Sequence, residues 1–249
     1  MPDMFGKKVF ILYPQSVIQE EMLHLLVAAE YEVALLRDTH QTLRVLEKYP
    51  DSILFVNIEA ALEEAQWERF IRNILSTEKT RDVRIGILAY NADPELTKKY
   101  LMDIGIQCGY VTLKLGLKES LKIIVKALEA NEARGRRKFV RAICGPEDKA
   151  AFNVKYGSGY LTGTIIDISS VGMACSFDTS HRLKPGVKLE DIQLKLKAVL
   201  CRVSGELVGV QKDKEERVLI MFSKDVSPRD RYKIHQFVYE RLQEAIDAL

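Results

Sequence analysis

Lys7-Lys8-Val9-Phe10-Ile11-Leu12-Tyr13 is a short apolar run closed by Pro14 and Ser16, and the pattern it begins decides the fold. The run has no polar alternation, which marks a strand buried on both faces. Behind it Ile18, Met22, Leu25, Leu26 and Ala29 recur at helical spacing, with Pro14 and Ser16 as start signals. The same unit then returns. A strand at 32–36 precedes a helix around 42–48, and a strand at 53–57 precedes a helix that carries Trp67, Phe70, Ile71 and Ile74 on one face. A strand at 83–89 leads to a helix opened by Asp93-Pro94 and closed by Gly105, and a strand at 109–113 leads to a helix with Leu117, Leu121, Ile124, Val125 and Leu128. Alternation of this kind predicts an α/β doubly wound five-stranded parallel sheet over residues 1–128, with right-handed crossovers and helices on both faces. Trp67 and Phe70 belong to its core.

From Glu129 to Gly135 the sequence turns polar, and Gly135 permits a bend, so 129–135 reads as a linker. Beyond Arg141 the helical period disappears. Strands are predicted at 139–144, 151–156, 160–168, 172–177, 189–203, 206–211 and 218–222, with turns at Gly157-Ser158-Gly159 and at Gly205. Short strands at this spacing predict a mainly-β small barrel over 136–249. A closing C-terminal helix starts at Ser227-Pro228-Arg229-Asp230, a cap, a first-turn proline and a capping-box acid. Its apolar stripe, Ile234, Phe237, Val238, Leu242, Ala245, Ile246 and Leu249, is expected to cover the barrel rather than a second copy of the chain.

The 249 residues have 47% hydrophobic and 29% charged content, the composition of a folded globular chain, and the net charge of +2 supplies no general field for nucleic acid or membrane. Anion binding must therefore come from clustered cations. Cys108, Cys144, Cys175 and Cys201 are dispersed without the spacing of zinc or dithiol sites. No targeting segment or membrane span is legible, which predicts a cytoplasmic protein with reduced thiols.

Two runs in the second half carry chemistry. Arg136-Arg137-Lys138-Phe139-Val140-Arg141 clusters guanidinium groups where the barrel begins, and Asp167-Ile168-Ser169-Ser170-Val171-Gly172 sets a carboxylate, hydroxyls and a glycine at a strand end. Guanidinium groups bind phosphate oxygens, or guanine O6 and N7, bidentately, and they stack on bases. A carboxylate accepts from the guanine N1 and N2 donors. An anion rich in purine edges is the ligand class that fits both runs.

The first half resembles response-regulator receiver domains in element order, with most of the catalytic residues missing. Where that family places magnesium-binding acids, a phosphoacceptor aspartate, a hydroxyl and a lysine, this chain has Tyr13 and Pro14, Asn57 or its neighbours, Ala89 or Tyr90, and Lys114. An amide forms no acyl phosphate, so a degenerate receiver-like domain is expected, serving as a surface for a protein partner or a homodimer. Glu59 is expected as a solvated loop carboxylate and Asp93 as a helix cap.

The pair R-x-x-x-R at Arg137 and Arg141, preceded by Arg136, and D-x-S-x-x-G at Asp167, Ser169 and Gly172 resembles the PilZ domain, over about residues 134–249. The resemblance implies a bacterial receptor for cyclic di-GMP, with Arg136, Arg137, Arg141, Asp167, Ser169, Ser170 and Gly172 as ligand-binding residues. It implies no enzyme activity, no cofactor and no metal. An arginine at position 136 is compatible in that family with an intercalated ligand pair, and one ligand remains the alternative. Binding is expected to order residues 134–141, to change the domain arrangement and to alter partner interaction in motility, surface or virulence control. The alternative from another class is a nucleic-acid-binding regulator using Arg134 to Arg141 as a phosphate patch, whose binding should weaken steeply with salt and tolerate loss of Asp167, as dinucleotide recognition should not.

Overall fold

In the computed structural model, which describes residues 6–14, 16–90, 92–135, 138–179, 183–212 and 216–249, the chain divides into two units. One is Met1–Lys138 with Leu242–Leu249, and the other is Phe139–Arg241.

The first apolar run forms β1 (Val9–Leu12), all of it buried. It is followed by α1 (Ser16–Ala28), β2 (Val33–Leu36), α2 (Thr39–Lys48), β3 (Ile53–Asn57), α3 (Glu64–Ser76), β4 (Arg84–Ala89), α4 (Pro94–Lys98), β5 (Tyr110–Thr112) and α5 (Leu117–Ala130). The strands form a five-stranded sheet in the order β2-β1-β3-β4-β5, with every pairing parallel. This is the doubly wound arrangement that the alternation predicts, because parallel neighbours need a crossover and each crossover here is a helix. Asp93 caps α4 by accepting from the Glu95 and Leu96 amides at 2.9 and 3.1 Å. The helix continues as a π-helical stretch, Lys99–Ile104, which ends at Gly105 with φ 77. Trp67 and Ile71 are fully buried in the core, and Trp67 Nε1 donates to Ala60 O at 3.0 Å.

The chain beyond α5 stays with this unit. Ala133 is buried, its carbonyl accepts from the Lys7 amide at 2.9 Å, and Arg84 Nη1 donates to Asn131 O at the same distance.

The second unit contains β6 (Arg141–Ile143), β7 (Ala151–Tyr156), β8 (Gly159–Ser169), β9 (Gly172–Phe177), β10 (Lys188–Leu196), β11 (Val199–Lys212), β12 (Glu216–Phe222) and most of α6 (Pro228–Asp247). The sheet order is β6-β8-β7-β10-β11-β12-β9, and an additional β8–β9 pairing joins its ends. Six strands thus close a ring, and β6 lies outside it on β8. Phe152, Ile165, Ile168, Cys175, Leu194 and Ile220 are among the residues that fill its core.

Two strand predictions are corrected. The stretch 189–203 is not one strand but the two arms of the β10–β11 hairpin, turned at Lys197-Ala198 with Lys197 at φ 54. Gly205 is not a turn; it lies inside β11 opposite Leu189 and Phe222, where a Cβ would come within 2.5 Å of Met221 O. The glycine there serves close strand approach, which a sequence pattern cannot distinguish from a reverse turn.

α6 starts as its sequence predicts. Ser227 Oγ accepts from the Asp230 amide at 3.0 Å and donates to Asp230 Oδ2 at 2.7 Å. Ile234, Phe237 and Val238 are buried. The stripe does not cover the barrel over its whole length: Ile246 belongs to the core of the first unit, and Gln243 exchanges bonds with the Leu35 amide and carbonyl there at 2.7 and 3.0 Å.

Candidate functional site

The two chemical runs meet through the β6–β8 ladder. Arg141, the first residue of β6, lies directly opposite Ser169, and Ile143 lies opposite Asp167. Directly opposed residues in an antiparallel pair share a face, and so do residues two apart on one strand. Arg141, Ile143, Asp167 and Ser169 therefore occupy one face of the ladder. The direction of Asp167 is set by an irregularity: β8 slips in register against β9 between Ile165 and Asp167, so that Ile165 and Ile168 both face the core while Asp167 faces away.

Arg141 Nη1 donates to Asp167 Oδ1 at 3.2 Å, with the Arg141 side chain 47% exposed and that of Asp167 15% exposed. The cation thus keeps guanidinium hydrogens directed to solvent. Ser169 and Ser170 are both buried. Ser169 Oγ donates to Gly172 O at 3.2 Å and closes the two-residue turn at Ser170-Val171. Its hydroxyl hydrogen being used there, Ser169 can offer a ligand only an acceptor.

Gly172 is needed for close approach rather than for a left-handed backbone. A Cβ at this position would lie 2.6 Å from Ile220 O and 3.3 Å from Met221 Cα, so its absence lets β12 close onto β9. Arg136 and Arg137 lie outside the described residues.

Arg231 belongs to neither run and is found here. From α6 its guanidinium donates to Lys224 O at 3.3 Å and makes a long contact of 3.5 Å to Ser170 O. Sequence spacing gives no signal for it, since both partners are main-chain carbonyls. The thiols of this unit stay protonated. Burial, with Asp148 as the next cause, pushes Cys144 up to about 12, and burial with Asp167 behind it does the same to Cys175.

The first unit's receiver-like positions are occupied by structural bonds. Asn57 is buried; its Nδ2 donates to Tyr13 O at 2.9 Å and its Oδ1 accepts from the Glu59 amide at 3.1 Å. Glu59 is exposed, as the loop carboxylate expected from sequence, and its Oε2 also accepts from the Tyr90 amide at 2.6 Å. The Lys114 amide in turn donates to Tyr90 O at 3.1 Å. Among the described residues no group of three or more His, Cys, Asp or Glu could hold a metal ion. No helix of the described residues is long and apolar enough to cross a membrane.

Residues 135–240 match the family model of the PilZ domain. No curated protein matches the chain. Among solved structures, the PilZ domain with c-di-GMP of YcgR from Escherichia coli is similar at 17% identity, over 45% of this chain and 96% of that one, with a TM-score of 0.40. The K. pneumonia MrkH–c-di-GMP complex is similar at 19% identity, over 47% of this chain and 57% of that one, with a TM-score of 0.42. The chemotaxis response regulator CheY4 of Vibrio cholerae is similar at 19% identity, over 49% of this chain and 99% of that one, with a TM-score of 0.42. The match spans only about half of the YcgR chain in its c-di-GMP complex, 50%.

Proposed function

We propose that this chain, a PilZ domain behind a degenerate receiver-like domain, is a cyclic di-GMP effector without catalytic activity of its own. The observation that carries the reading is the placement of Arg141, Asp167 and Ser169 on one face of the β6–β8 ladder, with Gly172 next to Ser169. This face offers a charge-assisted donor to phosphate or to guanine O6 and N7, and an acceptor-only carboxylate to guanine N1 and N2. Arg136 and Arg137 are proposed to complete the cationic side, and Ser170 to present the turn that Ser169 and Arg231 hold. We propose further that occupancy changes the arrangement of the two domains, and that the receiver-like domain passes the change to a protein partner or a second copy, in motility, surface or virulence control. The reduced thiols suit a cytoplasmic setting.

A phosphate patch for nucleic acid over Arg134 to Arg141 fits less well. Arg134 is engaged in the first unit, with its guanidinium 4.9 Å from the Tyr31 ring centroid and Nη2 donating to Ala29 O at 3.1 Å.

The test is calorimetric titration with cyclic di-GMP of wild type, Arg137→Ala and Asp167→Ala. Binding by wild type and its loss in both variants is the expected result. Absence of binding in wild type, or equal binding by the variants, sinks the reading. Binding to random duplex DNA that falls steeply with salt and survives Asp167→Ala would favour the nucleic-acid alternative instead. Protease cutting near Gly135 and solution scattering, with and without ligand, test the change in arrangement; no difference in either removes it.

A further inference from the structure

The row that contains Arg141 and Ser169 continues past the two sequence runs. Ser169 is paired with Gly172 on β9, Gly172 with Met221 on β12, and Met221 with Glu206 on β11. Since opposed residues share a face, Arg141, Ser169, Gly172 and Met221 lie side by side on the outside of the barrel. Met221 is 55% exposed, while its neighbours Ile220 and Phe222 point inward and are buried. Strand spacing puts Met221 about 10 Å from Ser169, two strands away, which is within the span of a dinucleotide's bases. The missing Cβ of Gly172 brings it nearer still, because a side chain there would hold β12 off.

We infer that Met221 is a specificity-determining contact of the ligand site, an apolar platform against which a guanine base of the bound dinucleotide packs. This rests on the cyclic di-GMP reading above and adds a residue to it from outside both motifs.

The reasons are chemical. A thioether beside a glycine presents apolar, polarisable surface with no neighbouring side chain between it and Ser169, and sulfur packs well against aromatic rings. With the anionic part of the ligand held by the cation at one end of the row, a base can lie on the Gly172–Met221 side. Sequence patterning does not single out Met221, because in a strand an outward methionine is unremarked and only the register of two ladders brings it to Ser169.

The experiment is titration of cyclic di-GMP into wild type, Met221→Ala, Met221→Trp, Asp167→Ala and, as a control for exposed apolar truncation, Leu200→Ala. Leu200 is 65% exposed on β11 and opposes Lys195 away from this row. Met221→Ala is expected to weaken binding about threefold to tenfold, the value of a sulfur–aromatic contact, with its melting temperature and the salt dependence of binding unchanged. Leu200→Ala should bind as wild type does. In Met221→Trp the new indole should be quenched by added ligand, since guanine is an efficient quencher in contact, and adding Asp167→Ala should remove the quenching. If wild type and Leu200→Ala bind, Asp167→Ala does not, and Met221→Ala binds within twofold of wild type with no quenching of the tryptophan variant, this inference is wrong while the parent reading stands. If wild type does not bind, both fall.

Discussion

Arg141 and Asp167 are diagonal neighbours across the β6–β8 ladder, joined Nη1 to Oδ1 at 3.2 Å. The last residue of the first run and the first of the second are therefore joined by an ion pair across one ladder. The bond orients the carboxylate and leaves the guanidinium half-exposed, a geometry suited to recognition more than to stability. An ion pair with a partner this exposed contributes about 0–1 kcal/mol to folding.

Asp167→Ala should accordingly leave the melting temperature close to that of wild type while binding of cyclic di-GMP falls by about tenfold to a hundredfold or more, the value of one or two charge-assisted hydrogen bonds. Asp167→Asn is the finer test. It keeps the shape but places an amide donor where the guanine edge also donates, so it should bind no better than the alanine variant. Calorimetry beside thermal melting measures both quantities; a large loss of stability in either variant would reassign Asp167 to the fold.

Gly172→Ala, unlike Asp167→Ala, should cost stability. A Cβ within 2.6 Å of Ile220 O forces β9 and β12 apart, with an expected cost of about 1–3 kcal/mol. Chemical denaturation reads this directly, and an unchanged midpoint would contradict the close approach described above.

The first unit was legible almost throughout because its signals are local: buried runs such as Val9–Leu12 alternate with amphipathic helices, and Asp93 and Gly105 mark their own helix ends. The barrel was legible in outline and less so in detail. Lys197-Ala198 carries no turn signature, yet Lys197 takes a left-handed backbone there, whereas Gly205 looks like a turn and is a close strand crossing. For the site, Asp167 and Arg141 were readable because their chemistry is carried by residue type. Arg231, and Met221 as inferred above, were not, since what places them is main-chain contact and strand register, neither of which leaves a spacing in sequence. The last turns of α6 show the same limit, for the apolar stripe predicts burial but does not say which core receives Ile246.

Thiol chemistry supplies a prediction in pH. Burial pushes Cys108 and Cys201 up to about 11, and Cys144 and Cys175 up to about 12, from an ordinary value of 9.0. A group whose folded value is raised favours the native state fully below its unfolded value and loses that contribution as pH rises through the folded one. Stability to urea should therefore be flat in this respect up to about pH 9 and decline between there and about pH 12. At pH 8 a thiol reagent such as iodoacetamide should label Cys108, Cys175 and Cys201 much more slowly in the native chain than in the unfolded chain; equal rates would contradict the burial of these three residues.

Asn57 provides the last test, because it separates a receiver that has lost its chemistry from one that has kept a place for it. The buried amide ties the end of β3 to the residue after β1, donating to Tyr13 O and accepting from the Glu59 amide, and both bonds are part-buried. Asn57→Asp restores the residue type of a phosphoacceptor but removes the donor to Tyr13 O and sets a carboxylate against a carbonyl oxygen. The variant should lose about 1–3 kcal/mol of stability, the cost of leaving a partly buried acceptor unpaired beside a carboxylate. It should also fail to label with acetyl phosphate and magnesium. The positions that would hold the metal carry Tyr13 and Pro14, neither of which offers the carboxylate oxygens that magnesium needs. Urea unfolding and mass spectrometry measure the two outcomes separately. A variant as stable as wild type would show that the Asn57 bonds do not hold the sheet, and a phosphorylated variant would show that this site still binds magnesium.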